Sequence, residues 1–298
     1  MRTVFFRRSA SSGEGFTLCG AWLAVWIILI GMCRLLGYLG APITLDTLVL
    51  APPHSLAKQS WMPLELRSAT VNADGWGAGF FMEGDDAPCL YVNTLPIWAD
   101  ANAPHMGRAI RSGCLVAAVR SATEPSSIAQ ANTQPFASGR LAFVHNGAVV
   151  DFRRKVQRRL CDELSDARYT QIAGTSDSEH LLALITHFRD GLEAQDQPES
   201  LLRATVLAVK FLSGLAVEAA TRADYSIVIA DGGSLIALRS STHGEPPTLY
   251  VSEPSSALAP GLIVASEPLD GSGGWRPLPP EHALVAKMGS APQVLPLW

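Results

Sequence analysis

Met32-Cys33-Arg34-Leu35-Leu36-Gly37-Tyr38-Leu39-Gly40 decides how this chain is read. Cys33 to Leu39 is a short apolar run closed by glycine, the signature of a β-strand, and it carries a thiol as its first residue. Working outward from it, two contrasting segments appear. Upstream, Arg2, Arg7 and Arg8 make a basic start, and Phe16 to Met32 follows without a charge. Downstream, short apolar strands alternate with a few helices to the end of the chain.

Composition sets bounds on both. With 298 residues, 48% apolar and 17% charged, the chain is long enough to bury a sizeable core. The formal charge of −4 and the absence of a long basic run exclude a nucleic-acid surface. The five cysteines (Cys19, Cys33, Cys89, Cys114, Cys161) are an odd number without C-x-x-C spacing. That argues against a disulfide framework or a structural zinc site and fits a reducing compartment.

Strands are expected at Trp76–Met82, Cys114–Arg120 and Leu141–His145, each rich in Val, Phe, Leu or Ala between glycines and polar turns. Ser176 to Asp190 reads as a helix, with Ser176 as its cap and Glu179 completing a capping box. Leu201–Ala220 is a second helix. A hairpin follows, Tyr225–Ala230 and Ser234–Ser240 around Asp231-Gly232-Gly233, and then strands at Leu249–Ser252, Leu262–Ser266 and Ala283–Lys287. Strands, two long helices and strands again predict stacked sheets covered by helices in one domain.

Four short motifs carry chemistry. The Cys33 thiol is a nucleophile only as the thiolate, so a base must take its proton. An N-terminal α-amine, titrating at about 8, serves as that base without any histidine. Arg120, at the end of the strand in Ala117-Ala118-Val119-Arg120-Ser121-Ala122-Thr123, must meet a carboxylate. Its fork suits either a ligand's α-carboxylate or a structural salt bridge. In Phe143-Val144-His145-Asn146-Gly147 the strand is expected to stop at Asn146-Gly147. That dipeptide is either a plain turn or a pair of donors aimed at an oxyanion, each worth roughly 3 kcal/mol. In Gly174-Thr175-Ser176-Asp177-Ser178-Glu179, Glu179 is accounted for by the helix dipole, while Asp177 is free to face a cleft and hold an ammonium group. Asn72-Ala73-Asp74-Gly75-Trp76-Gly77 is glycine-rich but lacks a following helix, which excludes a nucleotide-binding loop.

Taken in order, these residues resemble the class II glutamine amidotransferases of the N-terminal nucleophile hydrolase superfamily. The resemblance covers nearly everything from Cys33 on. It implies an α+β fold, the four-layer αββα sandwich. It also implies Cys33 as nucleophile with its own amine as base, Asn146 and Gly147 as oxyanion hole, Arg120 for the substrate's α-carboxylate and Asp177 for its α-ammonium. No metal or organic cofactor is implied. The chain departs from the larger synthases at Glu124, where many carry a histidine.

The start Met-Cys-Arg-Leu-Leu-Gly-Tyr-Leu-Gly-Ala-Pro is similar to the amidohydrolase family of ergothioneine biosynthesis. So are Pro53-His54-Ser55-Leu56, Asn72-Ala73-Asp74-Gly75-Trp76-Gly77 and Leu95-Pro96-Ile97-Trp98-Ala99-Asp100. That likeness implies a small-molecule substrate, γ-glutamyl-hercynylcysteine sulfoxide, cleaved through a γ-glutamyl thioester. The alternatives are a glutaminase subunit feeding ammonia to a separate synthase and an inactive membrane-associated homologue. Trp61, Trp76 and Trp98 are read either as core packing or as an aromatic wall for a trimethylated ammonium, with Glu65 and Asp74 as possible anions. His54 and His145 are read as polar packing groups.

Residues 1–32 admit three readings: a signal peptide, a short membrane anchor, or sequence upstream of a start at Met32. The chemistry of Cys33 selects the third. The expected working unit is then residues 33–298, cytoplasmic and away from the membrane. Losing three arginines and Glu14 leaves it with 20 basic and 26 acidic residues.

Overall fold

Along Arg34–Thr44 (β1), Leu36 and Tyr38 face one apolar core while Leu35 and Leu39 face another. A strand covered on both faces reads as a near-continuous apolar run, which is why this segment shows no polar alternation. In the computed structural model the described residues are 33–65, 71–122, 127–193, 197–253 and 258–298. The leader 1–32 and Glu124 lie outside them.

The remaining strands are β2 (Trp76–Phe80), β3 (Cys89–Asn93), β4 (Arg111–Val119), β5 (Phe136–Ser138), β6 (Leu141–Val149), β7 (Ala223–Ala230) and β8 (Ser234–Ser241). After them come β9 (Tyr250–Ser252), β10 (Gly261–Ala265), β11 (Trp275–Pro277), β12 (His282–Lys287) and β13 (Gln293–Pro296). They form two antiparallel sheets, ordered β11-β9-β10-β1-β4-β2-β3 and β13-β12-β8-β7-β6-β5. Leu36 is paired with both Ala265 and Ala117, so β1 is central in the first sheet.

Three apolar cores define the layers. Leu35, Val116, Val144, Val228 and Val264 fill the space between the sheets. Phe143, Tyr225 and Ile227 project from the other face of the second sheet onto α7 (Asp177–Asp190) and α8 (Pro198–Glu218), after the short helices α4 (Phe152–Lys155), α5 (Gln157–Glu163) and α6 (Asp166–Tyr169). Leu36, Tyr38 and Trp76 cover the outer face of the first sheet together with α1 (Asp46–Val49), α2 (Leu56–Gln59) and α3 (Ala103–Ala109). This is the αββα sandwich. Helix α8 is long and apolar enough to cross a membrane, yet Leu201, Ala208, Val209 and Leu212 pack into the core.

Two local expectations change. Ser176 caps α7, its Oγ accepting the Glu179 N–H at 3.2 Å. The capping box is not closed, because the Glu179 carboxylate accepts the N–H groups of Ala173 and Gly174 at 2.8 and 2.7 Å. Strand β6 does not stop at His145. It runs through Asn146 and Gly147, paired with Ser226 and Tyr225, because β7 continues to offer backbone partners.

A buried ion pair locks the head of β1. Arg34 Nε donates to Glu267 Oε1 at 2.8 Å, and both side chains are fully buried. Glu267 follows β10. Its second oxygen lies 2.7 Å from His54 Nε2 and accepts the Leu64 N–H at 2.8 Å, while the Glu65 N–H reaches Oε1 at 3.1 Å. Burial alone would raise this carboxyl. The bonds from His54 and Leu64 and the Arg34 charge outweigh burial and bring it from 4.5 down to about 2. A depressed carboxyl contributes stability that is fully present above its unfolded value and lost as pH falls through the folded one. Urea unfolding should therefore show stability falling between pH 4.5 and about 2, and Glu267→Gln, though less stable at neutral pH, should show a shallower fall.

Candidate active site

Cys33 sits one residue before the first registered pair of β1 and β4, Arg34 with Val119, at the end of the inter-sheet core. Its side chain is buried. Burial raises the thiol above its ordinary value, opposed by hydrogen bonding from the Ser121 backbone and by the Arg120 and Arg34 charges, while Asp177 adds to the rise. Gln134 Nε2 lies 3.9 Å from the sulfur. Among the described residues no imidazole hydrogen-bonds to the thiol.

Arg120 follows β4 directly. Its backbone is pinned from both sides: its N–H donates to the Gly75 carbonyl at 2.8 Å, and its carbonyl accepts the Asp74 N–H at 3.0 Å. Gly75 holds φ at +119°, a conformation that side chains resist, so the Asp74-Gly75 turn accounts for that glycine. The Arg120 side chain is buried, with Nη2 on Ser127 Oγ at 3.0 Å and Nη1 without a partner among the described residues. A buried guanidinium nitrogen lacking an acceptor is costly unless a ligand supplies one. No carboxylate of the protein pairs with it at salt-bridge distance among the described residues.

Asn146 and Gly147 come from the other sheet. Asn146 is fully buried, and among the described residues neither polar atom of its amide has a partner. Gly147 is required by packing: a Cβ there would stand 1.9 Å from the Asp224 carbonyl oxygen and 2.5 Å from His145 Nε2. The neighbouring backbone is held by Gln134, whose Nε2 donates to the His145 carbonyl at 2.8 Å and whose Oε1 accepts the His145 N–H at 2.5 Å. Gln134 thus spans from β6 to the thiol.

Asp177 opens α7. One carboxylate oxygen accepts the Val149 N–H at 2.8 Å, the other accepts from Ser178 Oγ at 3.2 Å, and its charge reaches the Cys33 thiol. His145 is buried, with Nδ1 2.9 Å from Ser178 Oγ and Nε2 donating to the Asp224 carbonyl at 3.2 Å. Burial lowers its pKa, so it stays neutral, a packing group between β6 and α7. His54 instead serves the Glu267 carboxylate.

The three tryptophans separate. Trp76 is core, with Nε1 donating to Asp100 Oδ2 at 2.9 Å. Trp61 and Trp98 are 41% and 47% exposed and meet edge to face at 5.7 Å, with Lys58 Nζ 5.4 Å above Trp61. Trp61 lies in the surface loop after α2, and Trp98 in the short turn Ile97–Ala99 after β3, where Ile97 takes the buried place. Asp74 accepts the Ala122 N–H at 2.7 Å and so braces the Arg120 segment, whereas Glu65 accepts from Tyr250 Oη at 2.6 Å. The structure therefore brings Arg120 and Asp177 within electrostatic reach of the Cys33 thiol, with Gln134 linking the thiol to the strand that bears Asn146 and Gly147.

Sequence reasoning missed Gln134, Arg34 and Glu267. A charged residue directly after Cys33 in an apolar strand was the available signal for Arg34. Gln134 and Glu267 stand in proline-marked connectors that show only as turns. From the Gly147 geometry, Gly147→Ala should lose hydrolytic activity and about 1–3 kcal/mol of stability in denaturant titration, since a backbone carbonyl must move to admit the methyl group.

The profile of "Glutamine amidotransferases class-II" matches residues 53–296. The chain is 35% identical to the gamma-glutamyl-hercynylcysteine sulfoxide hydrolase of Mycobacterium tuberculosis over 252 residues, 84% of this chain and 91% of that one. The protein of the same name from Mycolicibacterium smegmatis is 34% identical over 84% of this chain and 94% of its own. A glutamine aminotransferase class-II domain protein from Silicibacter pomeroyi superposes with a TM-score of 0.65 at 25% identity, covering 89% of this chain and 99% of the other. Together with the two-sheet sandwich and the cysteine at its head, these matches make the chain a member of the class II glutamine amidotransferases.

Proposed function

We propose that this protein hydrolyses the γ-glutamyl amide of γ-glutamyl-hercynylcysteine sulfoxide, with Cys33 as the nucleophile and as the first residue of the working enzyme. The observation that carries this reading is the Cys33 thiol under the Arg120 and Asp177 charges, with Gln134 and no imidazole at hydrogen-bond distance among the described residues. Arg120 and Asp177 carry the opposite charges that the carboxylate and ammonium ends of a glutamyl unit call for, and both act on the thiol. A thiol raised by burial, with no histidine hydrogen-bonded to it among the described residues, needs another base, and the α-amine on the same residue can supply one. The relatives' names supply the leaving group.

In the proposed reaction the Cys33 α-amine takes the thiol proton and the thiolate attacks the γ-carbonyl carbon. The resulting oxyanion is met by the Asn146 amide and the Gly147 N–H. Collapse breaks the C–N bond, and the α-ammonium returns its proton to the departing amine. Water, deprotonated by the same amine, then cleaves the γ-glutamyl thioester to give glutamate and free thiol. A chain retaining residues 1–32 has no free amine at Cys33 and is expected to be inactive. The free cysteines at 33, 89, 114 and 161 suit the cytoplasm.

Assay of the protein beginning at Cys33 against γ-glutamyl-hercynylcysteine sulfoxide and free glutamine tests this directly. Turnover should favour the γ-glutamyl conjugate, and Cys33→Ala should reduce it by at least about 1,000-fold. Arg120→Ala should raise KM by about tenfold or more with a smaller change in kcat, because it removes a contact made in both ground and transition states. Normal turnover by Cys33→Ala would end this reading, and a preference for free glutamine would favour an ammonia-supplying subunit.

A further inference from the structure

The ladder of β1 begins at Arg34, so Cys33 stands one residue beyond its registered pairs. Its carbonyl is held by a side chain: Arg34 Nη1 donates to the Cys33 carbonyl oxygen at 2.9 Å. The same guanidinium gives Nε to Glu267, and both groups are fully buried. Glu267 is fixed in turn by His54 and by the N–H groups of Leu64 and Glu65, and its backbone carbonyl accepts from Gln59 Nε2 at 3.3 Å. Leu35 and Ser266 close the ring: the Leu35 N–H donates to Ser266 Oγ and the Ser266 N–H to the Leu35 carbonyl, each at 3.0 Å.

Resting on Cys33 as the nucleophile, we propose that Arg34 is a positioning residue: anchored by Glu267, it fixes the Cys33 carbonyl and thereby the direction in which the thiol and α-amine face the scissile carbonyl. The physical reason is the fork. A planar guanidinium held by one carboxylate has its remaining N–H directions set, so the carbonyl it grips is set with them. Two torsions separate that carbonyl from the sulfur, and catalysis is sensitive to displacements of about 1 Å at the reacting atom. Arg34 also presents a fixed positive charge to the thiol. The other charges facing this pair are Arg120 and Asp177 on the thiol side and Glu65, bonded to Tyr250, on the Glu267 side.

The test compares wild type, Cys33→Ala and Arg34→Gln, each beginning at residue 33. It measures steady-state hydrolysis of the γ-glutamyl substrate and the pH dependence of Cys33 alkylation by iodoacetamide, followed on the Cys33 peptide by mass. Arg34→Gln should lower kcat at least about tenfold with KM changed less than about threefold. Its alkylation profile should move to higher pH by about half a unit or more, since a buried positive charge is gone. Should that variant fail to fold, the double variant Arg34→Met/Glu267→Met replaces the buried pair with apolar side chains, and the same two readouts are taken.

A folded variant with wild-type kcat overturns the proposal. So does a loss of kcat with an unmoved alkylation profile, which would assign Arg34 to folding alone. If Cys33→Ala itself turns over substrate, the failure lies in the identity of the nucleophile rather than in Arg34.

Discussion

The face-to-face contact of β1 and β4 with β6 and β7 is the constraint on which the rest of this structure depends. Leu35, Val116, Ala118, Val144 and Val228 interdigitate there without exposure. Cys33 and Arg120 stand at the ends of strands in one sheet, and Asn146 and Gly147 lie in a strand of the other. The inter-sheet core therefore sets the relation between the proposed nucleophile and the donors proposed for its oxyanion. Close packing transmits small volume changes, so a methyl group added or lost in this layer is felt at the site. Gly147 is the sharpest case, because β6 and β7 approach there too closely for any side chain.

The same burial that builds this geometry creates an electrostatic problem. Removing the thiol from water disfavours the thiolate, and Asp177 disfavours it further. Arg120, Arg34 and the Ser121 backbone push the other way without cancelling the effect of burial. Arg34 is itself buried and is kept charged by Glu267, whose carboxyl is brought down to about 2. Charge at the site is thus arranged in layers: a carboxylate supports a guanidinium, which supports the residue bearing the thiol. Buried ion pairs seldom add much net stability, and here the pair is better understood as fixing a position.

Much of the fold was legible in the sequence. The apolar runs at Cys33–Leu39, Trp76–Met82 and Cys114–Arg120 and the capped helix after Ser176 are strong periodic signals, and each corresponds to an element of the αββα sandwich. What escaped was set by tertiary context. Asn146-Gly147 has turn chemistry, yet β7 pairs with it and the strand continues. Helices as short as α1 and α2 hold too few residues to show a period, although Leu48 and Leu56 pack in a core. Trp61 and Trp98 have core composition but lie on the surface. Among the candidate site residues, the placement of Arg120 was readable because it stands in a marked local pattern, directly after the end of a strand. The Arg34–Glu267 contact joins residues 233 positions apart and leaves no local trace.

Everything proposed for catalysis turns on whether a glutamyl group becomes attached to Cys33 while that residue carries a free amine. The most direct measurement is acid quenching of the native protein during turnover of the γ-glutamyl substrate, followed by peptide mass mapping. A glutamyl increment on a peptide whose first residue is Cys33 is the expected result. A glutamyl increment on another cysteine, or on Cys33 still joined to Met32 in a turning-over enzyme, would contradict it.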